Sequence, residues 1–243
     1  MIDLSIVIPA YNEGLRLPDT LTLVKEYVDT HEKMSIEVLV VDDGSKDNTV
    51  DLVRQRMERF PELRIIENKI NKGKGKVVKQ GMLESKGNYR LFMDADHSTP
   101  INELDKLLQF IPEHDVIFGS RYLDSKSIKV KQPLKRRIIS RISNLIIQFL
   151  LLPNIKDTQC GFKLFSAQAA EDVFSIQRME GWSFDIELLT IAKLHGYALK
   201  EVPVDWFDAK HSTFHASKEA GKFLKDLWTI YRLAHTKQYQ VVN

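Results

Sequence analysis

Tyr89-Arg90-Leu91-Phe92-Met93-Asp94-Ala95-Asp96 is an apolar run that ends in two carboxylates one residue apart. The run is short and unbroken by Gly or Pro, so it reads as a buried strand. In a strand that continued, positions 94 and 96 would point to the same side. Two hard oxygen donors converging on one point suit Mg²⁺ or Mn²⁺. Such a cation would offset the charge that develops on a departing diphosphate.

Outward from this stretch, strands and helices alternate. Residues 4–9, 36–41, 63–66 and 116–119 are further apolar runs of strand length. Between them, 17–28, a segment starting after Ser45 or Asp47, 76–83 and 101–110 carry helical spacing or helix-start signals. This order predicts an α/β fold: a mostly parallel sheet with helices on both faces. Ligands of such sheets bind at the carboxyl ends of the strands. Those ends carry Pro9-Ala10-Tyr11-Asn12-Glu13, Asp42-Asp43, Asp94-Ala95-Asp96 and Ser120-Arg121, so all four sets are expected to line one crevice. After Arg121 the alternation stops. A basic helix, a hairpin-like segment at 161–165 and more helices are expected there, as an acceptor-side extension of the same domain. A single domain over 1–243 is expected, its crevice-bearing half at 1–122 expected to bind a nucleotide-sugar and its second half at 123–243 to form the acceptor side.

The totals fit this reading. The 243 residues suit one α/β domain, and 43% apolar with 28% charged content is ordinary for a globular protein. A formal net charge of +2 makes no case for nucleic acid as a partner. The single cysteine, Cys160, forbids an internal disulfide, fits a reducing compartment and reads as a small buried hydrophobe. No apolar stretch approaches the ~20 residues that span a bilayer. The chain opens directly into its first strand, so the expectation is a cytoplasmic protein, peripheral at the cytoplasmic face of a membrane.

Two further motifs carry chemistry. Asp42-Asp43-Gly44-Ser45 serves a turn and a helix start, which accounts for one acidic residue better than for two. One carboxylate, Asp43 ahead of Asp42, is free to accept from a uracil N–H or a ribose hydroxyl. Asn71-Lys72-Gly73-Lys74-Gly75-Lys76 lacks the Ser/Thr and spacing of a P-loop. It is either a solvated basic turn or a loop beside the nucleoside with lysines, Lys74 among them, facing phosphate. His97 and the other lone histidines read as ordinary polar neighbours.

Taken together, Ser5-Ile6-Val7-Ile8-Pro9-Ala10-Tyr11-Asn12-Glu13, Val41-Asp42-Asp43-Gly44-Ser45, Asn71-Lys72-Gly73-Lys74-Gly75 and Asp94-Ala95-Asp96 resemble the successive motifs of family 2 glycosyltransferases. Asp157-Thr158-Gln159-Cys160-Gly161-Phe162-Lys163-Leu164-Phe165 and Trp182-Ser183-Phe184-Asp185-Ile186-Glu187-Leu188-Leu189 resemble the dolichyl-phosphate β-glucosyltransferases within it. The resemblance implies a GT-A type, Rossmann-like fold, a UDP-sugar donor (UDP-glucose), a polyprenyl-phosphate acceptor and inversion at the anomeric carbon. It places Pro9, Tyr11, Glu13, Val41 and Asp43 around the nucleoside. Asp94 and Asp96, with Ala95 between them, would hold metal and diphosphate, and Arg121 would contact phosphate. Eukaryotic members carry an N-terminal membrane anchor, and none is expected in this chain. Near the C-terminal end the family often places a lysine where Thr213 stands here, so Lys210 or Lys218 is expected to substitute.

The acceptor side is basic. Lys126, Lys129, Lys131, Lys135, Arg136, Arg137 and Arg141 fall in a stretch with no acidic residue. Ile138, Ile139, Ile142, Leu145, Ile146, Phe149 and Leu150 follow at mostly helical spacing. This is either a core helix with a solvated basic face or a surface helix that meets an anionic membrane and guides a lipid phosphate in. A phosphate acceptor is already ionised and needs no base; Arg121, Arg137 and the metal would do the work. A hydroxyl acceptor needs a carboxylate, with Asp185 first and Glu187 second. The competing functions are a cytoplasmic transferase acting on a cell-envelope polymer or protein, a non-catalytic nucleotide-sugar-binding module, and a nucleotidyltransferase.

Overall fold

The computed structural model describes residues 2–124, 126–129, 134–208 and 216–239, with backbone alone for 134–140 and 216–220. Seven strands form one sheet: β1 (Leu4–Ala10), β2 (Ile36–Asp42), β3 (Leu63–Glu67), β4 (Tyr89–Met93), β5 (Val116–Ser120), β6 (Phe162–Ser166) and β7 (Leu199–Pro203). Their spatial order is β3-β2-β1-β4-β6-β5-β7. All neighbours pair parallel except at β6, which is antiparallel to both β4 and β5.

The helices are α1 (Leu17–Thr30), α2 (Thr49–Met57), α3 (Lys74–Glu84), α4 (Leu104–Leu108, entered through a 3₁₀ turn at Ile101–Glu103), α5 (Leu134–Leu150), α6 (Ala167–Ile176), α7 (Phe184–Leu194) and α8 (Ala216–His235). Every residue of β1 and β2 is buried, as expected of central strands covered on both faces. Alternate side chains feed two cores. Leu4, Ile6 and Ile8 pack with Leu17, Leu21 and Val24 of α1; Val7, Leu39 and Val41 pack with Val77, Val78 and Met82 of α3 and with Phe184 of α7. Gly81 lets α3 lie close, since a Cβ there would come 2.4 Å from Val7 and 2.8 Å from Val41.

The first half follows the order of apolar runs. The second half departs from it. Residues 161–165 are not a hairpin: 162–166 form one strand, which the chain inserts between β4 and β5, pairing Met93 with Phe162 and Phe118 with Lys163. The two halves therefore share one sheet. β7 was not foreseen. The expected helix at 101–110 is a turn followed by five residues of α4.

Candidate active site

The strand ends converge as the topology requires, and loops from the second half close the crevice. β4 ends at Met93, so Asp94-Ala95-Asp96 lies in a turn, and strand alternation does not set the two carboxylates. Other contacts do. The Asp94 N–H donates to the Gly161 carbonyl at 3.1 Å, and Thr20 Oγ1 donates to the Ala95 carbonyl at 2.7 Å. Asp94 Oδ1 accepts from the Lys74 ammonium at 2.5 Å. Asp96 Oδ2 lies 3.5 Å from Arg16 Nη1, while its Oδ1 accepts the Ser98 N–H at 3.0 Å. Arg16 also grips Glu13, at 2.7 and 2.5 Å. Burial pushes the Glu13 carboxyl up against the pull of Arg16, and the nearby Asp96 and Asp94 charges add to the rise.

Three carboxylates thus share a half-buried space, and Asp94 and Asp96 already face cationic side chains. The donor set fits a divalent cation: hard oxygens in a pocket that draws positive charge. Among the described residues no group of three or more ligating side chains surrounds such a point, so the protein would supply Asp94 and Asp96 and the diphosphate and water the rest. Lys74 opens α3, which gives it one side at the crevice. Its ammonium lies 5.0 Å from the Trp182 ring and 5.9 Å from that of Phe184. Burial works against its charge, but Asp94 and Asp185 outweigh it and raise the pKa.

On the nucleoside side the two neighbouring aspartates divide the work. Asp43 accepts the N–H groups of Lys72 (2.6 Å) and Gly73 (3.0 Å), which fixes the Gly/Lys-rich turn against β2. Burial raises its pKa in spite of these bonds. Asp42 accepts from Gly44 and Ser45 through Oδ2, and its Oδ1 is buried with no hydrogen-bond partner among the described residues. The acceptor left unused is therefore on Asp42. Tyr11 is 40% exposed on the rim. Asn12, at φ 54°, takes the Lys46 N–H on its side-chain carbonyl. Pro9 and Val41 pair in register inside the sheet, and Val41 is wholly buried against α3, so both shape the floor from beneath. His97 adjoins Asp96 with φ 54°, and its Nδ1 is buried without a partner among the described residues.

At the other end of the crevice, Arg121 follows β5. Its guanidinium grips both oxygens of fully buried Asp157 at 2.7 and 2.8 Å, and its backbone N–H donates to the same carboxylate at 2.9 Å. The rings of Tyr122 and Trp206 lie 5.4 and 5.5 Å away. Burial opposes both charges, yet the pairing wins: Asp157 is held low and Arg121 is held above its usual value. Arg121 also lines a groove of about 740 Å³ with Ile128, Arg141, Asn144, Leu145 and Lys156. Cys160 is buried as expected, its thiol pushed up to about 12 chiefly by burial.

Asp185 sits in the first turn of α7, 4% exposed, with Oδ1 paired to the Lys163 ammonium. Burial pushes its carboxyl up while Lys163 and Lys74 pull against it. Glu187 lies elsewhere: it accepts the N–H groups of Arg178 and Met179 and the Tyr239 hydroxyl, a closed structural set. Arg137, Lys210 and Lys218 fall outside the described side chains. Sequence reasoning missed Arg16, which precedes α1 in a loop. It also gave no role to Asp157 and Lys163, although both stood in a quoted motif.

Comparison with known proteins bears on the family and the fold. The model of glycosyl transferase family 2 matches residues 5–174. The chain is 35% identical over 238 residues to a dolichyl-phosphate beta-glucosyltransferase of Dictyostelium discoideum, covering 93% of this chain and 73% of that one. It is 35% identical over 223 residues to the dolichyl-phosphate beta-glucosyltransferase of Homo sapiens, covering 86% and 68%. Among solved structures, glucosyl-3-phosphoglycerate synthase from Mycobacterium tuberculosis, in complex with Mn²⁺, UDP and phosphoglyceric acid, superposes with a TM-score of 0.69 at 16% identity. That likeness covers 100% of this chain and 80% of that one, and it speaks to the fold alone.

Proposed function

The chain belongs to glycosyl transferase family 2 and is a glycosyltransferase; on that premise we propose that it moves glucose from UDP-glucose to a polyprenyl phosphate at a membrane surface, with inversion and with Mg²⁺ or Mn²⁺ held by Asp94 and Asp96. One observation carries the reading. The short loop 157–161 takes hold of Arg121 through Asp157 and of Asp94 through the Gly161 carbonyl. A single segment thereby sets the distance between the diphosphate end and the acceptor end of the crevice.

The acceptor chemistry follows from charge. A phosphate monoester has its second pKa near ~6, so an oxygen is already ionised at neutral pH and no base is required. That oxygen attacks C1 of glucose on the face opposite UDP. The C1–O bond to UDP breaks, its electron pair stays on the diphosphate, and the configuration inverts. Two anions must be placed in line, so the residues' work is positioning and neutralisation. Arg121, clamped by Asp157, offers a fixed cation at the acceptor end; Arg137, Lys210 and Lys218 are the further phosphate contacts in this reading. Lys74 and Arg16 face the diphosphate end. When bound, the divalent cation supplies Lewis-acid charge there.

Membrane contact is supported by two helix faces. Ile142, Leu145 and Phe149 on α5 are exposed at helical spacing, as are Leu224 and Trp228 on α8. Among the described residues, no helix is long and apolar enough to cross a membrane. An apolar stripe beside a basic stretch suits an interfacial helix on an anionic surface, and the cytoplasmic face is the side this reading assigns.

The test is direct. Incubation with labelled UDP-glucose, Mg²⁺ and dolichyl or undecaprenyl phosphate should yield a labelled, organic-extractable lipid. Label appearing only in a soluble glycan would overturn the acceptor and favour action on an envelope polymer or protein.

A further inference from the structure

Lys163 is the second residue of β6, next to Phe92 and Phe118 in the register, with no exposed surface. Burying an ammonium costs several kcal/mol, and an apolar side chain would fill the position at less cost. Its Nζ donates to the Cys160 carbonyl at 2.5 Å, pairs with Asp185 Oδ1 and lies 5.3 Å over the Phe92 ring. Asp185 directly follows Phe184, over whose ring the Lys74 ammonium lies at 5.9 Å, and Lys74 donates to Asp94. Charges therefore alternate in sign from the core to the crevice: Lys163, Asp185, Lys74, Asp94.

Stability does not account for this row. Replacing a buried ion pair by apolar residues of similar volume is often neutral or stabilising. Placement does account for it. Lys74 has three anionic neighbours, Asp94, Asp185 and Asp96, and a metal ion would claim Asp94 and Asp96. Asp185 is then the one of the three left to keep the ammonium at the mouth of the crevice. Asp185 is 4% exposed and burial pushes its carboxyl up; the Lys163 ammonium behind it pulls the other way.

We propose that Lys163 is a positioning residue for glycosyl transfer: through Asp185 it holds the Lys74 ammonium beside the donor diphosphate, and through the Cys160 carbonyl it steadies the loop that backs Asp94. Asp185 is then an anchor for two lysines rather than a proton acceptor, which agrees with an acceptor that needs no base. The inference rests on the transfer reading above.

Its test removes both buried charges together, in Lys163→Met/Asp185→Asn, so that neither is left unpaired. Melting temperature, UDP binding with Mn²⁺ by calorimetry, and kcat and donor KM with UDP-glucose and dolichyl phosphate are measured in the parent and in a Lys74→Met background. The double variant should melt within about 4 °C of the parent. Its kcat should fall about a hundredfold, with donor KM and UDP affinity little changed. Combined with Lys74→Met it should cost nothing further, because both changes remove one unit. A folded double variant with parental kcat overturns the proposal, as do losses that multiply with Lys74→Met. Should the double variant fail to fold, Lys163→Arg decides. It keeps the cation, so kcat within about fivefold of the parent supports the role, and a folded Arg variant as inactive as Lys74→Met overturns it. An inactive parent removes the transfer reading and this inference with it; an active parent beside an unaffected double variant removes this inference alone.

Discussion

Gly161 has no side chain where Asp94 has its carboxylate: a Cβ at 161 would lie 2.2 Å from Asp94 Oδ2, while the Gly161 carbonyl accepts the Asp94 N–H at 3.1 Å. The glycine is thus required by close approach and not by its own backbone angles. Gly161→Ala should displace the Asp94 carboxylate by a fraction of an ångström or more. Small misplacements at a reacting centre cost on the order of a hundredfold in rate. The expected outcome is a kcat drop of that size together with weaker Mn²⁺-dependent UDP binding by calorimetry. A variant with parental Mn²⁺–UDP affinity would show that Asp94 does not hold the metal.

Asp96 is the cleaner test of the cation itself. Its side chain is 22% exposed, and among the described residues the one cation within ion-pair distance is Arg16 at 3.5 Å, so little stability depends on it. Asp96→Asn should fold with a melting temperature close to the parent's and lose about 10²–10³ in kcat, the scale of removing one stabilising group from a developing charge. EDTA should abolish transfer by the parent, and Mn²⁺ or Mg²⁺ should restore it. Full activity in EDTA would remove the metal from the reaction.

How much of this was legible depended on whether a residue's partner was near in sequence or in pattern. Leu4 to Pro9 and Leu91 to Met93 announced buried strands because parallel central strands are apolar on both faces. Their ends could be placed in one crevice from order alone. β6 could not be read, because Lys163 interrupts Phe162-Lys163-Leu164-Phe165 and its neighbours on either side, β4 and β5, belong to the first half of the chain. β7 hid in the same way behind Lys200 and Glu201. Arg16 gave no signal at the crevice, since Asp96 lies 80 positions away and only the folded sheet joins the two. The bonds that Asp43 accepts from the Lys72 and Gly73 backbone could not be foreseen, since no local pattern records them.

Asp157→Asn tests the other end of the crevice. Asp157 is fully buried and carries two side-chain bonds from Arg121, so the substitution leaves a half-buried guanidinium without its counter-charge. Breaking such a pair costs about 3–5 kcal/mol, visible as a lower denaturation midpoint. The pH dependence follows from the direction of the shift. Arg121 holds the Asp157 carboxyl below the ordinary value near ~3.9. Its contribution is therefore fully present above that value and is lost as pH falls through the lower folded-state value. The parent's stability should fall on acidification below about pH 4, and that part of the acid limb should be missing in Asp157→Asn. An unchanged acid limb would mean that the pair is not ionised in the folded protein.

The lipid surface is tested by residues far from the crevice. Leu145 and Phe149 on α5 and Trp228 on α8 are 65%, 88% and 64% exposed, so replacing them removes little packing. Each large apolar side chain that enters an apolar phase contributes about 1.5–3 kcal/mol. Leu145→Ser/Phe149→Ser/Trp228→Ser should therefore keep the parent's melting temperature and lose flotation with anionic vesicles at low salt. Transfer to a long polyprenyl phosphate embedded in those vesicles should fall at least about tenfold, because a loss of 1.4 kcal/mol in binding already accounts for that factor. Transfer to a short, water-soluble polyprenyl phosphate should be unchanged, since the crevice residues are intact. Equal loss with both acceptors would place these side chains in the acceptor site, and equal retention with both would leave the two helix faces without a role at the membrane.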